Sequence, residues 1–306
     1  MPGDVQAPLL APDDAPLLRW LEAALEGARV VEVLKSWALS VVFRLESPVG
    51  AAVFKAIPSE LAREADVLLH LAGCVPEHVP EILASDRARG WVLMRDPGEG
   101  TLANQPLERW EAAVAAYARL QVACLAECPA LRALGVPLLD GAALLERYRR
   151  MCEQGISLLE PDEQRAFAAQ DERVRERIDA LARSPVPTTL EHGDYWSENV
   201  LCDGDRYRVI DWDAASVAPA FFSLPPLLIA RTADEQRRLR DAYLGPWQSL
   251  GSAAELARWY ELARPLAALH HAAGYHFAAA FLPSELDVHA SAYARFFLHT
   301  LDQPLG

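Results

Sequence analysis

The sequence has few cysteines and no cysteine motif. Five cysteines are spread over 306 residues, and no two of them form a CxxC pair. An odd number of separated cysteines in a chain of this length is typical of reduced thiols in the cytoplasm, and it excludes a disulfide framework. Cys124 and Cys128 lie one helical turn apart, but no histidine is near them in sequence, so a zinc site there is disfavoured.

Signals for export and for membrane insertion are also missing. The first 20 residues contain acids and prolines where a signal peptide needs a basic end and an unbroken apolar core. The longest apolar stretches, such as FFSLPPLLIA at 221–230, are too short or too interrupted by proline to cross a bilayer. We therefore expect a cytoplasmic protein with no membrane partner.

Basic residues are in deficit. The chain has 29 Lys and Arg against 43 Asp and Glu, which gives a formal net charge of −14. This charge repels the phosphates of nucleic acids, so we expect no nucleic-acid partner. An acidic surface suits a cationic substrate, although many acidic proteins are merely soluble. Monomer and dimer both remain open.

The N-terminal 95 residues have the pattern of a small sheet. Strand-like runs occupy 30–34, 40–46, 51–57 and 91–94, and leucines at helical spacing precede them at 15–27. Ser59 is a candidate cap for a helix that runs to about Ala72. The segment 96–100, DPGEG, is the best candidate for a linker.

The remainder of the chain has a helical pattern. Helices are predicted at about 106–128, 142–154 and 161–183, and in a proline-interrupted block from about 221 to the end, with strands only in the segment 189–216. The sequence therefore predicts an α+β protein with two domains, a mostly β domain at 1–95 and a mostly helical domain at 96–306. A cleft between them is the default ligand site.

Acidic side chains surround a predicted hairpin in that segment. Two short apolar runs, 200–202 and 207–210, flank the turn sequence Asp-Gly-Asp at 203–205. Antiparallel pairing of these runs would place Asn199 beside Asp211, with Asp194 a few residues away. Hard oxygen ligands of this kind bind Mg²⁺ when it also holds substrate phosphates. The alternative is that these residues cap turns and close loops.

The run HGDYWSENVL at 192–201, followed by VIDW at 209–212, resembles the HGDxxxxNVL and IDW segments of the aminoglycoside phosphotransferase and choline kinase family. The match covers about 30–280 and is most specific in these two motifs. It implies a two-lobed protein-kinase-like fold, with a small antiparallel β-sheet in the N-terminal nucleotide-binding lobe and a mostly helical C-terminal lobe that carries the catalytic loop, the metal site and the acceptor pocket.

The resemblance also implies roles for individual residues. Asp194 resembles the catalytic base that accepts the proton of the substrate hydroxyl, and His192 resembles a residue that braces this loop. Asn199 and Asp211 resemble the Mg²⁺ ligands. Asp213 either contacts a second metal or caps the following turn.

Lys55 supports this interpretation from the pattern alone. Alternation in AAVFKAI puts its ammonium group on a strand face with Val53 and Ile57, where it needs an anionic partner. The alternative is a lysine that protects an edge strand from aggregation. In the family such a lysine holds the α- and β-phosphates and pairs with a helix glutamate; Glu64 matches best, and Glu60 is the rival.

The nucleotide site is matched less completely. Met94 and Arg95 resemble the end of the strand and the hinge that meet adenine. Relatives often carry glycines between the first two strands, but this chain has LKSWALS at 34–40. Ser36 and Ser40 can supply hydroxyls there instead, and Trp37 can cover the site. ATP is the expected nucleotide, and GTP is not excluded. A second departure is Ser223, in FFSL, where relatives often have an aspartate before the leucine.

The acceptor is expected beside Asp194, on the helical domain. Candidate residues for its pocket are Tyr195, Trp196, Glu198, Asp213, His271 and Tyr275. Aromatic side chains suit a sugar ring and a quaternary ammonium group equally. His271 is a candidate for acceptor contact or for plain packing.

These features together predict an ATP- and Mg²⁺-dependent O-phosphotransferase that acts on a small hydroxylated molecule. An aminoglycoside or related amino sugar is favoured over choline and other metabolite alcohols. Two other classes remain as alternatives. One is a catalytically weak nucleotide-binding module, and the other is a kinase of proteins, against which the chain shows no APE-type activation segment after Trp212.

Overall fold

The structure is a computed structural model, and it describes residues 10–36, 40–58, 63–96, 98, 100–229, 231–279 and 283–302. The chain divides into two compact units. The first, here called the sheet unit, comprises Met1–Thr101 and Val200–Asp213, and the second, here called the helical unit, comprises Leu102–Asn199 and Ala214–Gly306. The predicted domains, 1–95 and 96–306, stay predictions, as does a cleft between them.

A five-stranded antiparallel sheet forms the centre of the sheet unit, in the order β1-β2-β3-β5-β4. Its strands are β1 (Arg29–Ser36), β2 (Val41–Glu46), β3 (Ala52–Ala56), β4 (Ile82–Asp86) and β5 (Trp91–Arg95). Four of these were predicted; β4 was missed because its sequence, ILASD, has neither alternation nor β-branched enrichment. Helices α1 (Ala15–Ala24) and α2 (Arg63–Cys74) belong to the same unit.

Helix α1 begins where the sequence supplies a cap. The Asp14 side chain accepts a hydrogen bond from the Leu17 amide at 3.0 Å, and a proline occupies the first turn. Leu17 and Leu21 are fully buried, in one cluster with Phe43 and Phe54 of the sheet. Burial of this apolar face is what stabilises so short a helix.

A two-stranded hairpin, β7 (Val200–Asp203) and β8 (Arg206–Val209), completes the sheet unit. Val200 pairs with Val209, and the turn contains Gly204 in the left-handed region, at φ +56°. The turn sequence predicted this hairpin correctly, because Asp-Gly favours the positive φ that a tight turn needs.

Most of the helical unit is α-helix. Its helices are α3 (Leu107–Ala123), α4 (Cys128–Ala133), α5 (Gly141–Gln154), α6 (Pro161–Ala168), α7 (Asp171–Arg183), α8 (Pro225–Leu228), α9 (Ala233–Leu244), α10 (Ala253–Ala278) and α11 (Pro283–Leu301). Capping boxes formed by Thr232 with Glu235 and by Ser252 with Glu255 start α9 and α10. The single helix predicted at 161–183 is two helices, because the chain turns at Ala169 and Gln170.

The helical unit also contains a sheet of two short strands. Strands β6 (Thr188–Glu191) and β9 (Ser216–Pro219) pair antiparallel, with Glu191 opposite Ser216. β6 leads directly into the HGD segment, so the backbone at 192–194 leaves a fixed strand end. Among the described residues, no helix combines the length and the apolar character that crossing a bilayer requires.

Candidate active site

Lys55 lies in the interior of the sheet unit. Its strand, β3, has β2 on one side and β5 on the other, so the alternative of a lysine on an edge strand is wrong. The side chain is buried, and Nζ lies 2.5 Å from Oδ1 of Asp211 and 2.7 Å from Oε2 of Glu64. Burial alone would lower the pKa of Lys55, but the charges of Asp211, Glu64 and Asp213 together raise it, so the ammonium stays charged.

Glu64 holds Lys55 from the first turn of α2. It is 1% exposed, and burial raises its pKa, an effect that the charge of Lys55 opposes. Of the two glutamates predicted to pair with Lys55, Glu64 therefore makes the ion pair. Glu60 lies outside the described residues, as does the predicted helix cap Ser59.

Asp211 approaches Lys55 from the end of the β7–β8 hairpin. It follows Val209 by two residues and has φ +68°, in the left-handed region that few residues other than glycine adopt. The next side chain is anchored, because the indole of Trp212 donates to the Val209 carbonyl at 3.0 Å. Asp213 is half-buried, and its charge acts on Lys55. One cation thus faces three carboxylates within the sheet unit.

The predicted adenine-binding residues are largely engaged in the sheet. Met94 is buried and pairs with Val53 on β3 and with Ile82 on β4. The Arg95 amide donates to the Glu81 carbonyl at 2.9 Å, and the Arg95 side chain donates to the Glu81 carboxylate at 2.6 Å. The Arg95 amide could contact a nucleotide only if its hydrogen bond to the Glu81 carbonyl broke. This argues against adenine contact by the Arg95 amide.

The two serines predicted to replace the missing glycines differ in access. Ser36 is the last residue of β1 and is exposed, whereas Ser40 is 4% exposed. Ser36 therefore has the more accessible of the two hydroxyls. Trp37, predicted to cover the site, lies outside the described residues.

In the helical unit, the three backbone amides of the HGD segment, residues 192–194, each donate a hydrogen bond to a side chain. The His192 amide donates to the Tyr117 hydroxyl at 3.2 Å, and the Gly193 amide donates to Oε1 of Glu191 at 3.3 Å. The Asp194 amide donates to Nδ1 of the buried His192 ring at 3.2 Å, which is the contact that a bracing role requires.

Gly193 is required in this segment. Its φ is +83°, and a Cβ at this position would lie 2.4 Å from the carbonyl oxygen of Ala214. Strand β9 follows Ala214, so the backbone on both sides of the contact is fixed. Gly193 therefore allows the HGD segment to approach the backbone at Ala214 closely.

The Asp194 carboxylate is held by two side chains of the helical unit. The Asn199 amide nitrogen lies 2.9 Å from the Asp194 carbonyl oxygen and 3.3 Å from Oδ2. The Tyr275 hydroxyl of α10 donates to Oδ1, and the Trp196 indole in turn donates to the Tyr275 hydroxyl. Burial and the Asp194 charge raise the pKa of Tyr275, so the phenol keeps its proton. Asp194 is thus a half-buried carboxylate that can accept a hydrogen bond from a hydroxyl group, and such a carboxylate is suited to accept the proton of a substrate hydroxyl.

The remaining residues predicted for an acceptor pocket separate into two groups. Tyr195 is fully buried with its ring 4.0 Å from that of Tyr117, and His271 is 1% exposed with Nε2 2.9 Å from the Phe222 carbonyl. Burial lowers the pKa of His271 to about 4, so its ring is neutral. These positions argue against acceptor contact by Tyr195 and favour packing for His271. Trp196 is half-buried and Glu198 is exposed.

Sequence reasoning did not predict a buried polar network next to the HGD segment, and it noted Ser223 only as a departure from relatives. Glu191, Tyr117, Gln121 and Ser223 are all buried and hydrogen-bonded to one another or to the segment. One signal was present: Glu191 is an acid in a strand of otherwise apolar and hydroxyl residues, directly before His192.

A sequence model described as the phosphotransferase enzyme family matches residues 29–262. No curated protein matches the chain significantly. Among solved structures, the choline kinase LicA from Streptococcus pneumoniae is 14% identical, with a TM-score of 0.65, over 94% of this chain and 97% of that one.

Two aminoglycoside enzymes are similar to the same extent. A thermostable mutant of aminoglycoside phosphotransferase APH(4)-Ia, in ternary complex with ADP and hygromycin B, is 14% identical with a TM-score of 0.64, over 94% of this chain and 99% of that one. The GDP and kanamycin complex of APH(2")-IIIa is 15% identical with a TM-score of 0.62, over 93% and 98%. At these identities the similarity concerns the fold, and it confirms the predicted protein-kinase-like fold class.

Proposed function

Because the chain belongs to the phosphotransferase enzyme family, we propose that it transfers the γ-phosphate of ATP, with Mg²⁺, to a hydroxyl group of a small molecule. The membership confirms the predicted family and the predicted enzyme class, a phosphotransferase with an alcohol group as acceptor. The observation that carries the proposal is the setting of Asp194, a carboxylate that accepts a hydrogen bond from the Tyr275 hydroxyl while Asn199 holds it.

In the proposed reaction, the acceptor oxygen attacks the γ-phosphorus, and the bond from that phosphorus to the β,γ-bridging oxygen breaks. The nucleoside diphosphate leaves with the electron pair of the broken bond, and the hydroxyl proton passes to Asp194. Asn199 and Tyr275 contribute by fixing the carboxylate, since general-base catalysis depends on geometry before basicity.

Lys55 is proposed to bind the α- and β-phosphates. Its ammonium stays charged in the sheet unit because Glu64 and Asp211 pair with it, and the buried Glu64 fixes its position. A charged group that is already oriented loses little entropy when it binds a phosphate.

The residues around Lys55 fit a divalent cation. Asp211 and Glu64 pair with the Lys55 ammonium and the charge of Asp213 also acts on it, so in the ionised state three carboxylates outnumber one cation by two negative charges. Asp211 and Asn199 supply the oxygen donors that Mg²⁺ prefers, and both are proposed as its ligands. When bound, Mg²⁺ neutralises charge on the phosphate oxygens. Asp213 is proposed either as a further ligand or as a turn cap.

The proposed acceptor is a cationic alcohol, with an aminoglycoside or related amino sugar first. The acidity of the chain suits such a substrate, and Glu198 and Asp213 are accessible carboxylates. Choline or another small metabolite alcohol is the second candidate, and a specific contact favours it. The His289 ring lies 5.4 Å from the Trp196 ring and 5.0 Å from the ring of Tyr275, whose hydroxyl donates to Asp194, and aromatic rings attract quaternary ammonium groups.

A nucleoside-diphosphate release screen tests the proposal. Aminoglycosides, amino sugars, choline analogues and amino alcohols are offered with Mg²⁺ and either ATP or GTP. Asp194→Asn should lower turnover on the best acceptor by on the order of 10²–10⁴ while sparing nucleotide binding. Asp179→Asn, which removes an exposed carboxylate on α7, is the matched control and should keep full activity.

Two outcomes would contradict the proposal. Full activity of Asp194→Asn would show that the assigned base is wrong. Binding of Mg²⁺ and ATP without turnover on any acceptor would instead indicate a nucleotide-binding module.

A further inference from the structure

Glu191 closes a chain of hydrogen bonds that begins and ends on the HGD segment. The His192 amide donates to the Tyr117 hydroxyl, which lies 2.6 Å from Oγ of Ser223. Ser223 donates to Oε2 of Glu191, and Oε1 of the same carboxylate accepts from the Gly193 amide. Two successive backbone amides are thus joined through three side chains.

The order of donors in this chain requires an ionised carboxylate. The Tyr117 hydroxyl accepts from the His192 amide and donates to Ser223. The Ser223 hydroxyl, which also accepts from the Gln121 side chain at 3.4 Å, donates to Glu191. The two amides can only donate, so the group at the closing position must accept from both sides. An ionised Glu191 does this. A protonated Glu191, or a glutamine, would leave one proton in the chain without an acceptor.

The carboxylate is buried among uncharged polar groups, and among the described residues no cation shifts its pKa. Glu191 and Ser223 are both fully buried. The groups packed against Glu191 are Tyr117 of α3, Tyr243 of α9 and Ser223, with Gly193 from the segment itself. Burial raises the pKa of Glu191 to about 7, although the hydrogen bonds from Ser223 and Gly193 oppose the shift.

This arrangement is costly to keep. A buried carboxylate destabilises the folded state relative to an apolar side chain of the same size, and here both of its oxygens are engaged, one by Ser223 and one by the Gly193 amide. The hydroxyl of Ser223 occupies the position where relatives often have an aspartate before the leucine. In this chain the Glu191 carboxylate contacts the segment at the Gly193 amide, and Ser223 connects it to Tyr117.

We propose that Glu191 is a positioning residue for Asp194, and that its ionised carboxylate, with Ser223 and Tyr117, fixes the backbone at His192 and Gly193. The inference rests on the proposed function, because it assigns a role to the backbone that carries the proposed base. Glu191 acts through the backbone and contacts neither substrate nor nucleotide.

The test is Glu191→Gln, with Glu153→Gln on the exposed face of α5 as the matched control. We expect kcat to fall on the order of 10- to 100-fold, because small errors in the position of a base are costly. The affinity for nucleotide should be unchanged. The wild-type kcat should rise with pH through about 7, since only the ionised form closes the chain, and this rise should be missing in the variant.

Ser223→Ala is a second variant that introduces no new polar group. It removes one hydrogen bond to the ionised carboxylate, so the midpoint of the kcat rise should move to higher pH. A kcat within two-fold of the wild type in both variants would overturn the proposal. A joint loss of nucleotide binding and of thermal stability would also overturn it, because it would show a purely structural role.

Hydrogen exchange separates this inference from the proposed function. In Glu191→Gln the amides of residues 192–194 should exchange faster than in the wild type and in Glu153→Gln, whatever the activity of the protein. Unchanged exchange would contradict the positioning role even in a protein that transfers no phosphate. Faster exchange in Glu191→Gln, together with a wild type that has no transferase activity, would support the positioning of the loop and would refute the proposed function alone.

Discussion

Replacement of Lys55 by methionine should destabilise the protein in a pH-dependent way. The variant leaves two carboxylates without their cation. Asp211 keeps 27% of its side chain exposed and remains hydrated, whereas Glu64 is 1% exposed. Removal of one partner from a buried ion pair costs about 3–5 kcal/mol, and we assign most of this cost to Glu64.

The sign of the pH effect follows from Glu64. Burial already raises its pKa above the ordinary value of 4.5, and loss of Lys55 removes the charge that opposed this shift. The folded variant therefore holds a proton that the unfolded chain releases, so its stability is greatest below pH 4.5 and falls as pH rises. Each pH unit over which the folded variant keeps this proton and the unfolded chain has lost it contributes about 1.4 kcal/mol.

Chemical denaturation of wild type and Lys55→Met at pH 5 and pH 8 measures this difference. The double variant Lys55→Met/Glu64→Gln removes the unpaired charge and should recover most of the stability lost at pH 8. Arg165→Met, which breaks the exposed pair with Asp162, should cost below about 1 kcal/mol at both pH values. An equal loss for Lys55→Met at both pH values, or no recovery in the double variant, would refute the electrostatic reasoning.

Two further predictions concern the helical unit. Tyr275→Phe removes the hydroxyl that donates to Asp194, so kcat should fall about 10-fold because the carboxylate loses one of the two side chains that fix it; an unchanged kcat would contradict this role. Gly193→Ala should cost about 1–3 kcal/mol in thermal denaturation because of its positive φ, and should abolish most activity, whereas Gly73→Ala on the exposed face of α2 should slightly stabilise the protein. Near-normal activity of Gly193→Ala would show that the close approach to Ala214 is not required.

Local signals in the sequence were sufficient for part of the site. The Asp-Gly turn predicted the β7–β8 hairpin, and alternation in AAVFKAI placed Lys55 on a strand. These features depend on neighbours in sequence. The ion pair between Lys55 and Asp211 joins residues 156 apart, and no local signal in the sequence predicted it.

Long-range polar contacts were not predictable in this way. The hydrogen bond between Tyr117 and Ser223 spans 106 residues, and nothing in the pattern of either helix or loop marks these two as partners. Burial was also misjudged: Tyr195 and Trp196 are adjacent, yet the former is fully buried and the latter is half-buried. Side chains in an irregular loop have no periodicity from which their direction can be read.

The most direct test of the central claim is a single-turnover measurement with radiolabelled nucleotide and the best acceptor from the screen. The account predicts that label moves from the γ-phosphate to an acceptor hydroxyl in the wild type. In Asp194→Asn the nucleotide should bind equally well while transfer slows by on the order of 10²–10⁴. Equal transfer rates in the two proteins would contradict the assignment of Asp194 as the base.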